Sequence, residues 1–319
     1  GMRQWLAGAL AARRGAGGIV ANLDVALPSG FLDRLAGQVL GQGATSPAAW
    51  RREHLRWRLF ALLEASSDPT LRAALEGDDS GRRRFQLADR LARIHSQYMA
   101  YRPDWLRDWA RGRPTFDQAG FHPALWRALR EAVGLPHRGE RLAELEQALT
   151  GGQPEIGARE PLHVFGLSHL APAELRVLHA LAAHRPVVFY VPDPCREFWG
   201  GLKTERARLR ELAADPHSRS AEDTFLGQAH PLLAAWGRLG QHFMLQVQAL
   251  DAAVDMRHYR DEHDHDREPG NLLERLQESL RRLDPALLAA DPRAPGARRE
   301  AASRRVDACH TRRRELDAL

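Results

Sequence analysis

The stretch that most restricts the fold is 85–109, FQLADRLARIHSQYMAYRPDWLRDW. Leu87, Leu91, Ile94, Tyr98 and Tyr101 recur at three- and four-residue intervals, which predicts an amphipathic helix buried along one stripe. Arg90, Arg93 and Gln97 fall on another face, three and four residues apart, where their side chains are neighbours. Pro103 must end the helix, because a proline drives the preceding residue out of the α region. Arg102 is thereby left at a helix end beside Tyr101, Trp105 and Trp109, and Asp104 is placed to cap a second short helix. An apolar face that docks, backed by a guanidinium–amide face, is one way to present a surface to a strand of nucleic acid. The same pattern describes an ordinary solvated helix face that carries arginine, and the residues alone leave both readings open.

Around this helix the pattern is α/β with a large all-α insertion. A helix over 1–14 and a short buried strand over 19–23 precede the turn Leu27-Pro28-Ser29-Gly30 and a second helix. From about 50 to 149 the signals are helical: Leu55, Leu59 and Leu62 mark one amphipathic segment, with further helices over 69–75, 123–133 and 138–149. The runs 162–167 (LHVFGL) and 186–191 (PVVFYV) read as buried strands joined by a helix over 172–183, a βαβ unit that implies a parallel sheet. A long helix over 231–250, another over 272–283 and a strand over 306–310 follow. The pattern opens as if an earlier strand were missing and stops inside a helix begun at 312–319, as expected of a piece of a longer chain.

Composition excludes several classes. The 319 residues allow ample core, and 44% hydrophobic with 27% charged residues is ordinary for a soluble protein. No secretory signal is recognisable and no apolar run is long enough to cross a bilayer. Cys195 and Cys309 are the only cysteines and lie far apart, which excludes a disulfide framework and fits a reducing cytoplasm. The net charge is only +5, yet Lys203 is the sole lysine, so nearly every cation is arginine. Arginine suits phosphate and base recognition through its planar fork, although a codon bias toward arginine and alanine accounts for most of that usage.

No G-x-x-x-x-G-K-[ST] loop occurs, so no phosphate loop for a nucleotide is available. Residues 258–266 (HYRDEHDHD) carry three histidines, three aspartates and a glutamate, but without the rigid, periodic setting of a metal site. Asp193 sits at a strand end with no Asp/Glu-x-Lys pattern near it, as a metal-dependent nuclease would need. Cys195 lacks a charge partner and reads as a structural thiol. Trp105, Trp109 and Trp126 could stack bases, but tryptophan at helical spacing usually belongs to a core.

Several stretches occur together in one order: GMRQWL, GIVANLD with LPSGF, FQLADRL with QYMAYRPDWL, VFGLSHLAPAELRVLHAL, DPCREFWG, HPLLAAWGRLG and ACHTRRREL. In these the chain resembles the gamma subunit of bacterial exodeoxyribonuclease V, the RecC component of the RecBCD helicase–nuclease, over nearly its whole length. The resemblance implies a superfamily 1 helicase-like fold, with a P-loop-type parallel sheet that has lost the ATP-binding motif. Residues 1–49 would be the first part of a 1A-like domain and 50–155 an all-helical 1B-like domain. Residues 156–300 would be the rest of the 1A-like domain with helical and loop insertions, and 301–319 the start of a truncated 2A-like domain.

It further implies a non-catalytic subunit that helps split duplex ends, channels the 3′-ended strand and recognises a Chi sequence during recombinational repair. Single- and double-stranded DNA and RecB-like and RecD-like subunits would be its partners in a cytoplasmic heterotrimer. ATP and Mg would be used by those subunits, with no catalytic residue, cofactor or metal in this chain. Gln4, Leu27, Gln97, Arg102 and Arg138 match family positions of the Chi channel, and amides, guanidiniums and leucine suit base edges and base faces. Arg93 and Ser96 stand where the family has acidic residues and Asp33 where it has tryptophan, which changes the bases favoured. The alternative is a helical protein–protein scaffold whose arginine faces dock acidic partners without meeting DNA.

Overall fold

A helix at Arg82–Tyr101 forms the axis of the best-packed region, and its small residues explain why. Ala88 and Ala92 are fully buried one turn apart, so the neighbouring helix Arg52–Ala65 can approach closely and insert Leu55, Leu59 and Leu63. Burying each such leucine is worth about 2 kcal/mol, whereas an exposed helix ion pair supplies a few tenths. The seam between these two helices, rather than surface pairing, therefore holds the bundle.

The structure is a computed structural model that describes residues 2–13, 18–21, 23–41, 48–113, 115, 120–152, 154, 156–157, 160–203, 210, 213, 230–250, 256 and 272–288. Its helices in chain order are α1 (Met2–Arg13), α2 (Pro28–Val39), α3 (Arg52–Ala65), α4 (Pro69–Leu75), α5 (Arg82–Tyr101), α6 (Pro103–Ala110), α7 (His122–Val133) and α8 (Arg138–Gly151). Then come β1 (Leu162–Phe165), α9 (Pro172–Leu181), β2 (Val187–Tyr190), α10 (Pro231–Trp236), α11 (Arg238–Gln248) and α12 (Leu272–Arg281). The described residues are mostly helical, with one small two-stranded parallel sheet, β1 beside β2.

Two units are distinguishable. The first comprises 1–162 with 171–188, the second 163–170 with 189–319. In the first, α3 packs along α5, α7 packs on α3 and α6, and α8 packs on α2, α5 and α9. Trp126 of α7 is wholly buried, stacks on His95 of α5 at 5.7 Å with the planes 12° apart, and donates its indole N–H to the Leu106 carbonyl at 2.9 Å. His95 donates from Nδ1 to the Leu91 carbonyl one turn back (2.9 Å), while its Nε2 is buried without a partner. Desolvation pushes the His95 pKa down from 6.5 to about 4 and also lowers those of His122 and His137. These rings are thus neutral at physiological pH.

In the second unit Cys195, Trp199, Leu202, Leu233 and Met244 form a small core. The Gln241 amide lies within hydrogen-bonding distance of the carbonyls of Trp199, Gly200 and Leu202, at 2.6–3.0 Å. Asp193 accepts the indole N–H of Trp199 at 3.0 Å and the backbone N–H of Cys195 at 3.2 Å, so this carboxylate shapes a turn. Burial pushes the Cys195 thiol pKa up, consistent with a structural thiol.

Several expectations need correction. The strand expected over 19–23 has no regular structure at Ile19–Ala21 or Leu23, and Ile19 is 76% exposed; no described strand lies beside it to pair with. The buried stripe of α5 is rotated by about one residue from the expected one: Ala88, Leu91, Ala92, His95 and Met99 are buried, Leu87, Ile94 and Tyr98 are half-buried, and Tyr101 is 47% exposed. Close packing against α3 selects the alanines over the larger neighbours. Asp104 does not cap α6; Arg102 occupies the cap position, at φ −135° and ψ 51°, outside the α region that the following proline disfavours, and Asp104 pairs with it. The helix expected over 231–250 is two, broken at Gly237, where a Cβ would stand 2.5 Å from the Leu233 carbonyl oxygen and 3.0 Å from the Trp199 ring. The histidine-rich run 258–266, the strand expected over 306–310 and the segment 301–319 lie outside the described residues.

One contact fixes where α8 begins. A Cβ on Gly139 would stand 2.8 Å from the Met99 carbonyl oxygen and 2.9 Å from both Pro103 and the His137 ring. Only glycine lets the first turn of α8 sit on the corner between α5 and α6. Gly139→Ala should therefore lose about 1–3 kcal/mol in urea unfolding, whereas Gly151→Ala, at the open end of the same helix with nothing within 4 Å, should be neutral or stabilising. The buried histidines make a second prediction. Unfolded His95 takes a proton near pH 6.5, while the folded ring resists to about 4. Its contribution is whole above 6.5 and is lost as pH falls, a penalty of roughly 3 kcal/mol by pH 4. Urea midpoints should begin to drop just below pH 6.5, before the carboxylates titrate; a flat profile from pH 7 to 5 would refute the desolvated rings.

Candidate nucleic-acid interface

The face of α5 opposite its buried stripe carries Arg82, Gln86, Arg90, Arg93, Gln97 and Tyr101, all exposed, at steps of four, four, three, four and four. That spacing lines them up along one side of the helix. Among the described residues Arg90 and Arg93 have no ion pair, and no carboxylate lies on this line. Asp89, one position away, faces α3 instead and binds Arg52 at 2.6 Å and Arg56 at 3.4 Å, which holds its carboxyl below the usual range. The stripe is therefore an unneutralised row of guanidinium and amide donors about as long as α5 itself.

At its C-terminal end stands Arg102. Its guanidinium forks onto Asp104, with Nε to Oδ1 at 3.1 Å and Nη2 to Oδ2 at 2.8 Å, and its Cζ lies over the Trp105 ring, 3.7 Å from the centroid. The hydrogen bond from Arg102 lowers the Asp104 pKa and raises that of Arg102. Both groups are on the surface, where such a pair is weak and screened by salt, so an incoming anion can compete for the guanidinium. Trp109 is different: it is wholly buried, donates to Thr115 Oγ1 at 2.7 Å, and belongs to the core.

Arg138, the first residue of α8, forks between two carboxylates. Nη1 reaches Asp33 of α2 at 2.6 Å and Nη2 reaches Glu174 of α9 at 3.1 Å. His137 caps the same helix: its Nδ1 accepts from the Gly139 N–H at 3.0 Å, and Glu140 accepts the His137 N–H at 3.0 Å. Accepting at Nδ1 requires the neutral ring, which fits its lowered pKa.

The seat of Gly139 on Met99 and Pro103 brings the start of α8, with Arg138, against the α5–α6 corner that Arg102 occupies, and the Asp33 contact ties α2 to the start of α8. Leu27 stands at the start of α2, 78% exposed. Gln4 is exposed on α1; its neighbours Arg3 and Ala7 line an open cleft of 590 Å³ with Val20, Leu23 and Asp24, and Asp24 pairs with Arg34 of α2 at 2.9 Å. Two features escaped the sequence reading. Arg82 and Gln86 extend the stripe, and their four-residue spacing ahead of Arg90 was the available signal. A surface cluster of Trp57, Phe60 and Phe85 carries Arg56 and Arg84 over its rings at 4.2–5.6 Å; its members come from two helices, and no linear spacing reveals it. Among the described residues no group of three or more His, Cys, Asp or Glu could hold a metal, and no helix is long and apolar enough to cross a membrane.

Comparison with known proteins identifies the family. The family described as RecC, N-terminal domain, matches residues 1–283. The RecBCD enzyme subunit RecC of Escherichia coli (strain K12) is 31% identical over 324 residues, covering 89% of this chain and 27% of that protein. The subunit of the same name from Mycolicibacterium smegmatis is 28% identical over 334 residues, covering 100% and 27%, and that of Haemophilus influenzae 23% over 376 residues, covering 100% and 32%. The chain spans about a quarter to a third of the length of these relatives. With its N-terminal domain matched over most of the sequence, the chain belongs to the RecC family.

Proposed function

We propose that this chain is part of a non-catalytic, DNA-binding subunit of a RecBCD-type exodeoxyribonuclease V. In that role it helps split duplex ends, guides the 3′-ended single strand and reads a Chi-like sequence during double-strand-break repair by homologous recombination. RecB-like and RecD-like subunits supply the motors and the nuclease and use the ATP and Mg. The fold that goes with this reading is superfamily 1 helicase-like without its phosphate loop. Residues 1–49 and 156–300 form a 1A-like domain, 50–155 a 1B-like domain, and 301–319 open a 2A-like domain. Gln4, Leu27, Gln97, Arg102 and Arg138 are its strand contacts.

The observation that carries the reading is the α5 stripe. Side chains whose charge is already balanced add little to phosphate binding, whereas Arg90 and Arg93 stand exposed with no acidic neighbour on their line. Arginine and glutamine interleaved at one-turn spacing offer donors to phosphates and base edges alike. Arg102 over Trp105 adds a cation–π pair at the stripe's end. The names of the relatives, all RecC subunits of a RecBCD enzyme, point the same way.

The test is the paired substitution Arg90→Ala, Arg93→Ala in the intact protein with its co-purifying subunits. Both side chains are exposed, so folding should be unaffected. Single-strand affinity should fall, and the slope of log K against log salt should flatten by about 1.4, two phosphate contacts at roughly 0.7 each. Unchanged affinity and slope, together with lost subunit co-purification, would assign the stripe to an acidic protein partner instead.

A further inference from the structure

The guanidinium of Arg138 is held in an arrangement that a simple strand contact does not need. Its two terminal nitrogens point to different carboxylates on different helices, Asp33 of α2 at 2.6 Å and Glu174 of α9 at 3.1 Å. The two carboxylates are not equivalent. Glu174 has a side chain only 16% exposed, sits in the first turn of α9, and its other oxygen accepts the Ala171 N–H at 3.4 Å. It is fixed by its own helix and orients the Nη2 side of the fork. Asp33 is 40% exposed and has Arg138 as its one ion-pair partner among the described residues. The trio sums to one negative charge beside the corner where Arg102 offers donors.

We infer that Asp33 is an internal competitor that occupies the outward face of the Arg138 guanidinium until an acceptor of the DNA strand displaces it. Glu174 keeps the fork aimed throughout, so displacement of Asp33 exposes a pre-oriented donor. The inference rests on the proposed strand-binding role of this corner, and it makes Asp33 a determinant of affinity and base preference although its own charge repels DNA. The acceptor is either a phosphate oxygen or a base edge such as the O6/N7 pair of guanine, which present the same chemistry to a guanidinium.

The experiment measures single-strand binding by the intact protein with its co-purifying subunits, across a salt series, for wild type, Asp33→Asn, Asp33→Glu and Glu131→Gln. Asparagine keeps the shape and one weak acceptor but removes the charge. Glutamate keeps the charge. Glu131→Gln makes the same charge change on an exposed position of α7. Asp33→Asn is expected to bind about 3- to 10-fold more tightly at low salt, with the slope of log K against log salt steeper by about 0.7, one further phosphate-type contact. The other two variants should behave as wild type. A gain that persists on an abasic strand assigns a phosphate, and one confined to guanine-bearing strands assigns a base edge; either supports the competitor. Wild-type-like binding by Asp33→Asn, weaker binding by it, or an equal gain from Glu131→Gln would each overturn the inference while leaving the strand-binding reading intact. Failure of every variant, wild type included, to bind single strands would remove that reading and the inference with it.

Discussion

The seat of Gly139 is the contact on which the candidate interface depends. Without a side chain there, the first turn of α8 rests directly on the Met99 carbonyl and Pro103. Three otherwise separate segments then meet: the C-terminal end of α5 at Met99, the proline corner with Arg102, and the start of α8 with Arg138. The capping box of His137 and Glu140 keeps that first turn intact by satisfying donors that a helix end would otherwise leave open. A neutral His137 is integral to this cap, since the protonated ring has no lone pair to accept the Gly139 N–H. The dry aromatic packing of Trp50 and Trp126 around His137 keeps it neutral.

Much of this was legible from spacing. The existence of α5, its termination before Pro103, the exposed Arg90, Arg93 and Gln97, and the core role of Trp109 and Trp126 all follow from helical periodicity and proline sterics, whereas its start at Arg82 does not. Which residues face inward was only half legible. Size favoured Leu87, Ile94 and Tyr98, but the α3–α5 seam buries Ala88 and Ala92, because a close helix approach needs small residues at the contact. His95 was invisible as a core residue because its polar ring is made tolerable by one backbone acceptor and a stacked indole, both contributed through the folded structure. The expected strand over 19–23 shows the converse error: an apolar run forms a strand only where a partner strand lies beside it.

The site residues were read through resemblance, and the fold shows what spacing cannot: their charge state in context. Gln97 and Arg138 have similar donor chemistry in the sequence, yet one is exposed on an unneutralised stripe and the other is clamped by carboxylates from two helices. No linear pattern links Arg138 to Asp33, 105 residues away. Long-range ion pairs of this kind depend on the packing of α2, α8 and α9, which the sequence encodes only through the whole core.

The near-exclusive use of arginine acquires a sharper meaning once its partners are known. Arg52, Arg56, Arg84, Arg102, Arg130 and Arg138 are each engaged with carboxylates, and Arg56, Arg84 and Arg102 also lie over aromatic rings. These guanidiniums act as struts, a use that lysine, lacking the planar fork, would serve poorly. Arg90 and Arg93 are not struts; they add positive potential where nothing cancels it. Other exposed arginines, Arg107 of α6 and Arg127 of α7 among them, also have no ion pair among the described residues; what α5 adds is the alignment of Arg90 and Arg93 with Gln86 and Gln97 along one face. That alignment gives α5 a direction: a donor row along its length whose C-terminal end adjoins Arg102, engaged by Asp104 at the surface. On the proposed strand-binding role, a polyanion drawn to this row would meet at its end a guanidinium that it must win from Asp104, so the row would supply attraction and the end a competition for one donor.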